Sequence, residues 1–227
     1  MTLPSSLQHN PRLSTWILIE NDRLIVQTGK VELGQGIKTA IASIVAFELD
    51  FPISRIDLVS GRTSEGPEEG ITAGSMSIET TGASVRQAAA EVRCHLINLA
   101  SQHLQVERDA LYIEQGLVKQ HRGNESLSFS ELLNGKQIDM EATGEPAPKI
   151  AAASETLLAR IDLPGKLTGG RSFLQDLQIP NLQHGRIVRG PSIHHRPTHV
   201  RPLDTSLGVV TIQDRDFIGV IGRNENQ

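Results

Sequence analysis

The stretch from Gly29 to Leu49, GKVELGQGIKTAIASIVAFEL, decides how the N-terminal half of the chain is organised. Its second part carries apolar residues mostly three and four positions apart, which predicts a helix from Ile37 to Leu49. Pro52 ends this helical pattern. The first part is a glycine-rich loop with Gln35 between two glycines, and its backbone N–H groups can approach a ligand closely at the start of a helix.

A second loop, TAGSMSIETTG at residues 72–82, precedes a long helix predicted over 83–104 from its apolar face. It ends the 61–82 segment, which exceeds the ~12–15 residues of an ordinary structureless loop and therefore indicates a function or disorder. Two donor-rich loops at two helix N-termini can grip one extended anionic ligand. The plainer alternative stays open: each loop is a simple connection, and Thr80 or Thr81 caps the second helix.

The composition excludes several classes of protein. The chain has 227 residues and a net charge of −4, which argues against a nucleic-acid partner because such binders concentrate Lys and Arg. A single Cys excludes a disulfide framework and a Cys-ligated zinc or iron–sulfur site. No apolar run reaches the ~18 residues that span a bilayer, and no signal-peptide pattern opens the sequence. We therefore expect a cytoplasmic chain without direct membrane insertion.

The remaining segments complete the coarse organisation. Residues 1–14 form a polar lead-in, and a hairpin with an Asn21-Asp22 turn follows. Beyond the long helix, the pattern predicts a small hairpin near 111–118 and a short helix from Phe129 to Leu133. The C-terminal part alternates short β-like pieces with Gly and Pro turns, and these pieces lie at 172–174, 184–188, 209–212 and 217–221.

Three runs of the sequence carry a resemblance to a known family. They are GKVELGQGIKTAIASIVAFELDFPISRIDLVSG at 29–61, EEGITAGSMSIETTGASVRQAAAEVR at 68–93 and RIDLPGKLTGGRSFLQDLQIPNLQHGRIVRGPS at 160–192. The first two closely resemble the large subunit of the molybdenum hydroxylases, the family of xanthine dehydrogenases and aldehyde oxidoreductases. The third is similar to the hammerhead domain of that family. Their order resembles the isoquinoline 1-oxidoreductase or nicotinate dehydrogenase type.

The resemblance implies an α+β fold with two domains. The first is a partial molybdopterin-cofactor-binding domain over residues 1–140, and a linker over 141–156 follows it. The second is a β-rich α/β-hammerhead-like domain over 157–227, which we expect to be incomplete.

The resemblance also implies which residues contact a molybdenum-pterin cofactor. The glutamine of the E-x-G-Q-G run lies beside the metal and the pterin in such subunits, and the T-A-G-S-x-S loop surrounds the cofactor. The matching positions here are Gly34, Gln35, Gly36, Thr72, Gly74, Ser75 and Ser77. The pterin holds the metal, so no side chain is expected to ligate it. Met76 departs from the more usual Arg or Leu, and the HHRPTH run at 194–199 is atypical.

The implied activity is hydroxylation of a heteroaromatic or aldehyde substrate with water, by an oxidoreductase. The general base of the family is a glutamate of its C-terminal region, and no residue here matches that motif or the G-G-F-G-G-K type segment. We therefore assign no catalytic residue and expect a fragment or split piece that is inactive alone. Its expected partners are the remainder of the large subunit, an iron–sulfur small subunit and, as a further candidate, a cytochrome subunit. Aromatic residues make up only 3% of the chain, which fits a part of something larger.

One alternative of a different class stays open, namely a non-catalytic module that binds another anionic ligand such as a nucleotide. Other chemically suggestive residues have ordinary interpretations. Cys94 is predicted to be a small core residue. The histidines at 194, 195 and 199 lie in a proline-rich run that argues against a helical metal site. Glu65, Glu68 and Glu69 are predicted to be a solvated part of the loop.

Overall fold

The computed structural model describes residues 2–150, 159–170, 173–201 and 208–224. The contacts divide the chain into one unit over 1–164 and a second over 165–227. The helices are α1 (Ser5–His9), α2 (Ile37–Leu49), α3 (Ala83–Leu104), α4 (Phe129–Leu133) and α5 (Leu163–Leu167). The strands are β1 (Ile17–Glu20), β2 (Arg23–Thr28), β3 (Ile56–Ser60), β4 (Leu111–Glu114), β5 (Leu117–Gln120), β6 (Ser126–Ser128), β7 (His184–Ile187), β8 (Val210–Asp214) and β9 (Phe217–Gly222).

A β–α–β arrangement places the first glycine loop. β1 and β2 form the predicted antiparallel hairpin, and both turn residues, Asn21 and Asp22, have positive φ angles of 49° and 55°. This is the backbone that a two-residue hairpin turn requires. β3 pairs with β2 in parallel, so α2 crosses from one strand to the other. The loop from Gly29 to Gly36 therefore leaves the carboxyl end of β2 and enters α2 directly.

α3 is the central element of the first unit, and its predicted bounds are confirmed. It packs against α2. A second sheet, which is entirely antiparallel and has the order β4-β5-β6, contacts α3 through β4 and β5. The strand β6 was not predicted, because its three residues are too few for a periodic signal. Directly before α3, residues Ile78–Gly82 form a π-helical turn, whereas the sequence predicts a continuous loop there.

The N-terminal residues are part of the core, so the prediction of a polar lead-in is wrong. α1 buries Leu7 completely, and Leu13 and Trp16 are equally buried. The Trp16 indole Nε1 donates to the Asn10 carbonyl at 2.8 Å, which satisfies its polar atom inside the core. Isolated apolar side chains such as Leu7 lie in a segment too short to show a period.

Residues 141–149, predicted as part of a linker, lie against α2 and α3. Glu91 of α3 accepts from the Gly144 N–H at 2.6 Å, and Glu48 of α2 accepts from the Lys149 N–H at 2.9 Å. Arg93 donates to Glu48 at 3.0 Å and so joins the two helices. Residues 151–158 lie outside the described part of the chain, and the predicted domain limits stay predictions.

The second unit contains an antiparallel sheet in the order β7-β9-β8. It confirms the three C-terminal strand predictions, and Arg215 turns between β8 and β9 with a φ of 53°. The β-like piece predicted at 172–174 is wrong at its described C-terminal end, because Leu174–Asp176 form a 3-10 helix. Ser172 lies outside the described residues. The mixture of helices and strands agrees with the α+β class, whereas the hammerhead-like assignment stays a prediction.

None of the helices in the described ranges has the length and apolar character that a membrane crossing needs.

The packing of α3 gives a prediction about stability. Leu96 is fully buried on this helix, so Leu96→Ala is expected to lower the free energy of unfolding by about 2–5 kcal/mol. Leu33 is 70% exposed, and Leu33→Ala is the matched control with an expected change within about 0.5 kcal/mol. Urea denaturation measures both. Equal losses in the two variants would contradict the described core.

Candidate functional site

The two loops singled out in the sequence both line a cavity of about 380 Å³. Ten residues line it, four from the first loop and the start of α2 and six from the second loop: Leu33, Gln35, Ile37, Ala40, Thr72, Ala73, Gly74, Ser75, Ser77 and Ile78. Five of the seven predicted cofactor-contact residues are among them. The other two, Gly34 and Gly36, flank Gln35 on the backbone.

The first loop owes its shape to its glycines. Gly34 and Gly36 have φ angles of 107° and 81°. This region of backbone conformation is unfavourable for any residue that carries a Cβ atom. The Gln35 side chain folds back onto the loop: its Oε1 accepts from the Leu33 N–H at 2.6 Å and its Nε2 donates to the Val31 carbonyl at 3.0 Å. Gln35 thus lines the cavity while it braces the turn that carries it.

Glu32 caps α2. Its Oε1 accepts from the N–H groups of Gly34 at 2.9 Å and Gly36 at 2.8 Å, and its Oε2 accepts from the Lys38 N–H at 3.3 Å. Burial raises the pKa of Glu32, but the three N–H donors outweigh it and hold the pKa below its usual range. An internal carboxylate therefore takes two of the donors that this helix end was expected to offer to an anion, those of Gly36 and Lys38.

A third segment contacts the first loop from far along the chain. Arg160 donates to the Gly34 carbonyl at 2.8 Å and to Glu32 Oε1 at 3.3 Å. Asp162 binds the same guanidinium through both oxygens, at 3.0 and 2.7 Å. The R-x-D run falls in the predicted second domain, and this contact with the first loop was not predicted. The only signal was the run itself, which named the residues without their partners.

The second loop supplies hydroxyl groups to the cavity. Thr72 Oγ1 accepts from the Val31 N–H at 3.0 Å and so ties the second loop to the first. Gly74 and Ser75 turn the chain with φ angles of 67° and 57°. Within the described part of the chain, the Ser75 and Ser77 hydroxyls have no hydrogen-bond partner, which leaves them available to a ligand.

Glu69 clasps the second loop onto β2, so its prediction as a solvated residue is wrong. Its Oε2 accepts from Thr28 Oγ1 at 2.8 Å and from the Gly29 N–H at 2.9 Å, and its Oε1 accepts from Thr81 Oγ1 at 2.6 Å. The buried Lys30 ammonium donates to the Glu69 carbonyl at 2.8 Å. Thr81 therefore serves this clasp and does not cap α3, and Thr80 Oγ1 donates to the Met76 carbonyl.

The other chemically suggestive residues lie away from this cavity. Cys94 is half-buried and lines a separate cavity of about 640 Å³ between α3 and residues 108–113 and 146–149. His194, His195 and His199 lie in the loop after β7, where all three are exposed. No group of three or more His, Cys, Asp or Glu residues suited to hold a metal ion occurs among the residues that the structure describes.

One known protein family matches most of the first unit. Residues 4–156 match the family model described as the molybdopterin cofactor-binding domain. This range contains both cavity-lining loops and ends before Arg160.

Comparison with single proteins gives relatives much longer than this chain. A nicotinate dehydrogenase subunit of Pseudomonas putida is 33% identical over 95% of this chain and 19% of the relative. The beta subunit of isoquinoline 1-oxidoreductase from Brevundimonas diminuta is 24% identical over 82% of this chain and 29% of the relative. The solved structure of reconstituted CO dehydrogenase from Oligotropha carboxidovorans aligns with 26% identity and a TM-score of 0.47 over 56% of this chain and 17% of that one. The chain thus spans less than a third of these relatives.

The cap by Glu32 predicts a pH-dependent loss of stability. At pH 7, Glu32→Gln is expected to lower the free energy of unfolding by about 1 kcal/mol, the usual contribution of a helix cap. Because the folded-state pKa of Glu32 is lowered, its stabilisation is complete above the usual Glu pKa of about 4.3 and is lost as the pH falls through the lowered value.

Urea denaturation of both chains from pH 7 to pH 3 measures this effect, and the difference should shrink in the acid range. The exposed Glu107→Gln is the control and should match the wild type throughout. A difference that stays constant down to pH 3 would contradict the role of the charged carboxylate.

The clasp by Glu69 predicts a change in loop opening. Glu69→Ala removes three hydrogen bonds to a charged acceptor, each contributing about 1.5–3 kcal/mol. Tryptic cleavage after the exposed Arg62 is therefore expected to be at least about tenfold faster than in the wild type. Glu68→Ala, one position earlier and exposed, should leave the rate unchanged. Equal cleavage rates in the two variants would contradict the clasp.

Proposed function

The chain belongs to the molybdopterin cofactor-binding domain family of the molybdenum hydroxylases, and we propose that its two cavity-lining loops hold a molybdenum pterin. The proposed contacts are those of Gly34, Gln35, Gly36, Thr72, Gly74, Ser75 and Ser77. The observation that carries the proposal is a cavity of about 380 Å³ that both loops line, with Gln35 on one side and Ser75 and Ser77 on the other. Its volume lies within the ~300–1,000 Å³ of small-molecule and cofactor sites.

The donor set of the cavity fits such a group. The Ser75 and Ser77 hydroxyls are neutral and lie beside small residues, so they can bind the polar edges of a heterocycle without charge. A pterin that brings its own metal ligands requires no cluster of His, Cys, Asp or Glu side chains. When bound, the molybdenum pterin supplies the oxidation–reduction chemistry by which this family hydroxylates a substrate with water.

The residues of this chain bind and orient the cofactor in this proposal, and none of them transfers a proton. Glu32 is the nearest acidic candidate on the first loop, but its carboxylate accepts three backbone N–H groups and its pKa is lowered. A general base needs a pKa near the working pH. The base and the substrate pocket therefore come from other protein, and the chain alone is expected to be inactive. The proposed substrate of the complete enzyme is a heteroaromatic compound or an aldehyde.

The proposed partners are the remainder of a large subunit and an iron–sulfur small subunit, with a cytochrome subunit as a further candidate. The names of the relatives describe subunits of larger assemblies, which supports this view. Exposed apolar side chains lie in the two loops or directly beside them in the chain, and exposed apolar patches can mark surfaces that other protein covers; they are Leu33, Ile71, Met76 and Ile78. A cytoplasmic location stays a prediction.

A nucleotide-binding module is the alternative class, and the cap on α2 argues against it. A phosphate at this helix end would lie beside the charge of the Glu32 carboxylate, which already accepts the Gly36 and Lys38 N–H groups.

Cofactor retention tests the proposal. The chain is purified from a host that makes the molybdenum cofactor, and bound pterin is measured by fluorescence after oxidation, with molybdenum measured by mass spectrometry. The wild type should retain both. The double variant Gln35→Ala/Ser77→Ala should retain at least about fivefold less, because it loses two polar contacts of about 0.5–1.5 kcal/mol each.

The matched control is Ser64→Ala, an exposed serine of the same long loop that does not line the cavity. It should retain as much pterin as the wild type. A wild-type chain without pterin, a double variant that equals it, or a bound nucleotide in place of the pterin would overturn the proposal.

A further inference from the structure

Arg160 joins three groups that belong to two distant parts of the sequence. One nitrogen, Nη1, donates to the Gly34 carbonyl at 2.8 Å, and Nη2 contacts Glu32 Oε1 at 3.3 Å. Nε and Nη2 grip the two carboxylate oxygens of Asp162 at 3.0 and 2.7 Å. The planar guanidinium thus connects a local acidic partner to both the backbone and the capping residue of the first loop.

The burial of this cluster makes its central cation necessary. The side chain of Glu32 is 5% exposed and that of Asp162 is 8% exposed, whereas that of Arg160 is 30% exposed. Two nearly buried carboxylates that share one guanidinium repel each other once the cation is removed. Loss of Arg160 therefore acts directly on Glu32, the residue that caps α2 and fixes the loop.

A second contact anchors the same segment to α2. The N–H of Ile161 donates to the buried Thr39 Oγ1 at 3.0 Å. Gly36 lies under the guanidinium, because a Cβ built on it would be 3.9 Å from Arg160 Nε. The 160–162 segment therefore covers the junction of the first loop and α2. Arg160 lies against Gly34 and Gly36, the two glycines that flank Gln35.

We propose that Arg160 is a positioning residue, which together with Asp162 sets the conformation of residues 32–36 and so holds Gln35 at the cavity. The consequence for pterin binding rests on the proposed function, whereas the positioning itself does not. The R-x-D run thereby couples the shape of the first loop to the segment that leads out of the first unit at Pro164.

The shape of the guanidinium, in addition to its charge, is required. It presents donors in a fixed fork to the Gly34 carbonyl, to Glu32 and to both oxygens of Asp162. A lysine ammonium is a point charge on a flexible chain and cannot reproduce this set. Arg160→Lys therefore separates charge neutralisation from geometry, and Arg160→Gln removes both.

Amide hydrogen exchange on the full-length chain, measured by NMR without any cofactor, tests the inference. The reporters are the loop amides that donate to Gln35 or Glu32, namely those of Leu33, Gly34, Gly36 and Lys38. Arg160→Gln should speed their exchange at least about tenfold, a change of about 1.4 kcal/mol in local opening. Arg160→Lys should rescue this only in part.

Two further variants make the readout specific. Asp162→Asn should speed exchange at the same amides, and the double variant with Arg160→Gln should add less than the product of the two effects. Arg62→Gln removes an exposed arginine that forms a local ion pair with Glu65, and it should change the exchange of none of the four reporter amides. Amides in the middle of α3 should keep wild-type rates in every variant.

Unchanged loop exchange in Arg160→Gln, or a rise spread equally over α3, would overturn the inference, since the second pattern is that of a general loss of stability. Full rescue by Arg160→Lys would overturn the geometric part. Pterin retention separates this inference from the proposed function. Faster loop exchange in Arg160→Gln, with no pterin on the wild type, supports the positioning role and contradicts the proposed function. Pterin on the wild type, with unchanged loop exchange in Arg160→Gln, supports the proposed function and contradicts the positioning role.

Discussion

The carboxylate of Glu32 accepts the N–H groups of Gly34, Gly36 and Lys38, and the geometry of the first loop depends on this capture. A loop with two glycines at positive φ has little conformational preference of its own. The buried acceptor supplies the missing constraint, and it also satisfies the Lys38 N–H in the first turn of α2. The loop is thereby held by contacts within the chain itself.

The second loop is held in a parallel way. Glu69 accepts from Thr28, Gly29 and Thr81, which joins the end of β2 to the π-helical turn before α3. Both loops therefore use one internal carboxylate to collect donors that would otherwise remain unpaired. The donors left at the cavity are neutral hydroxyls, which suits an extended polar heterocycle better than a free phosphate.

The parts of the fold that follow from the sequence are those with a local cause. α2 and α3 carry a helical period over 13 and 22 residues, and both were predicted with the bounds that the structure has. Glu69 and Arg160 make contacts 40 and 126 residues away, and no local pattern announces such partners. The π-helical turn and the burial of Leu7 likewise depend on packing against α3. The two loops could be identified from the sequence, but the internal groups that hold them could not.

The central claim is that a preformed pair of loops binds a pterin, and amide chemical shifts of the ¹⁵N-labelled chain test it most directly. On addition of molybdopterin, the account predicts shifts confined to the two loops, in residues 33–37 and 72–78, with the amides of α3 beyond its first turn unchanged. Shifts in only one loop would contradict a site that both loops share. Shifts centred on the separate cavity beside Cys94, or none at all, would contradict the claim as a whole.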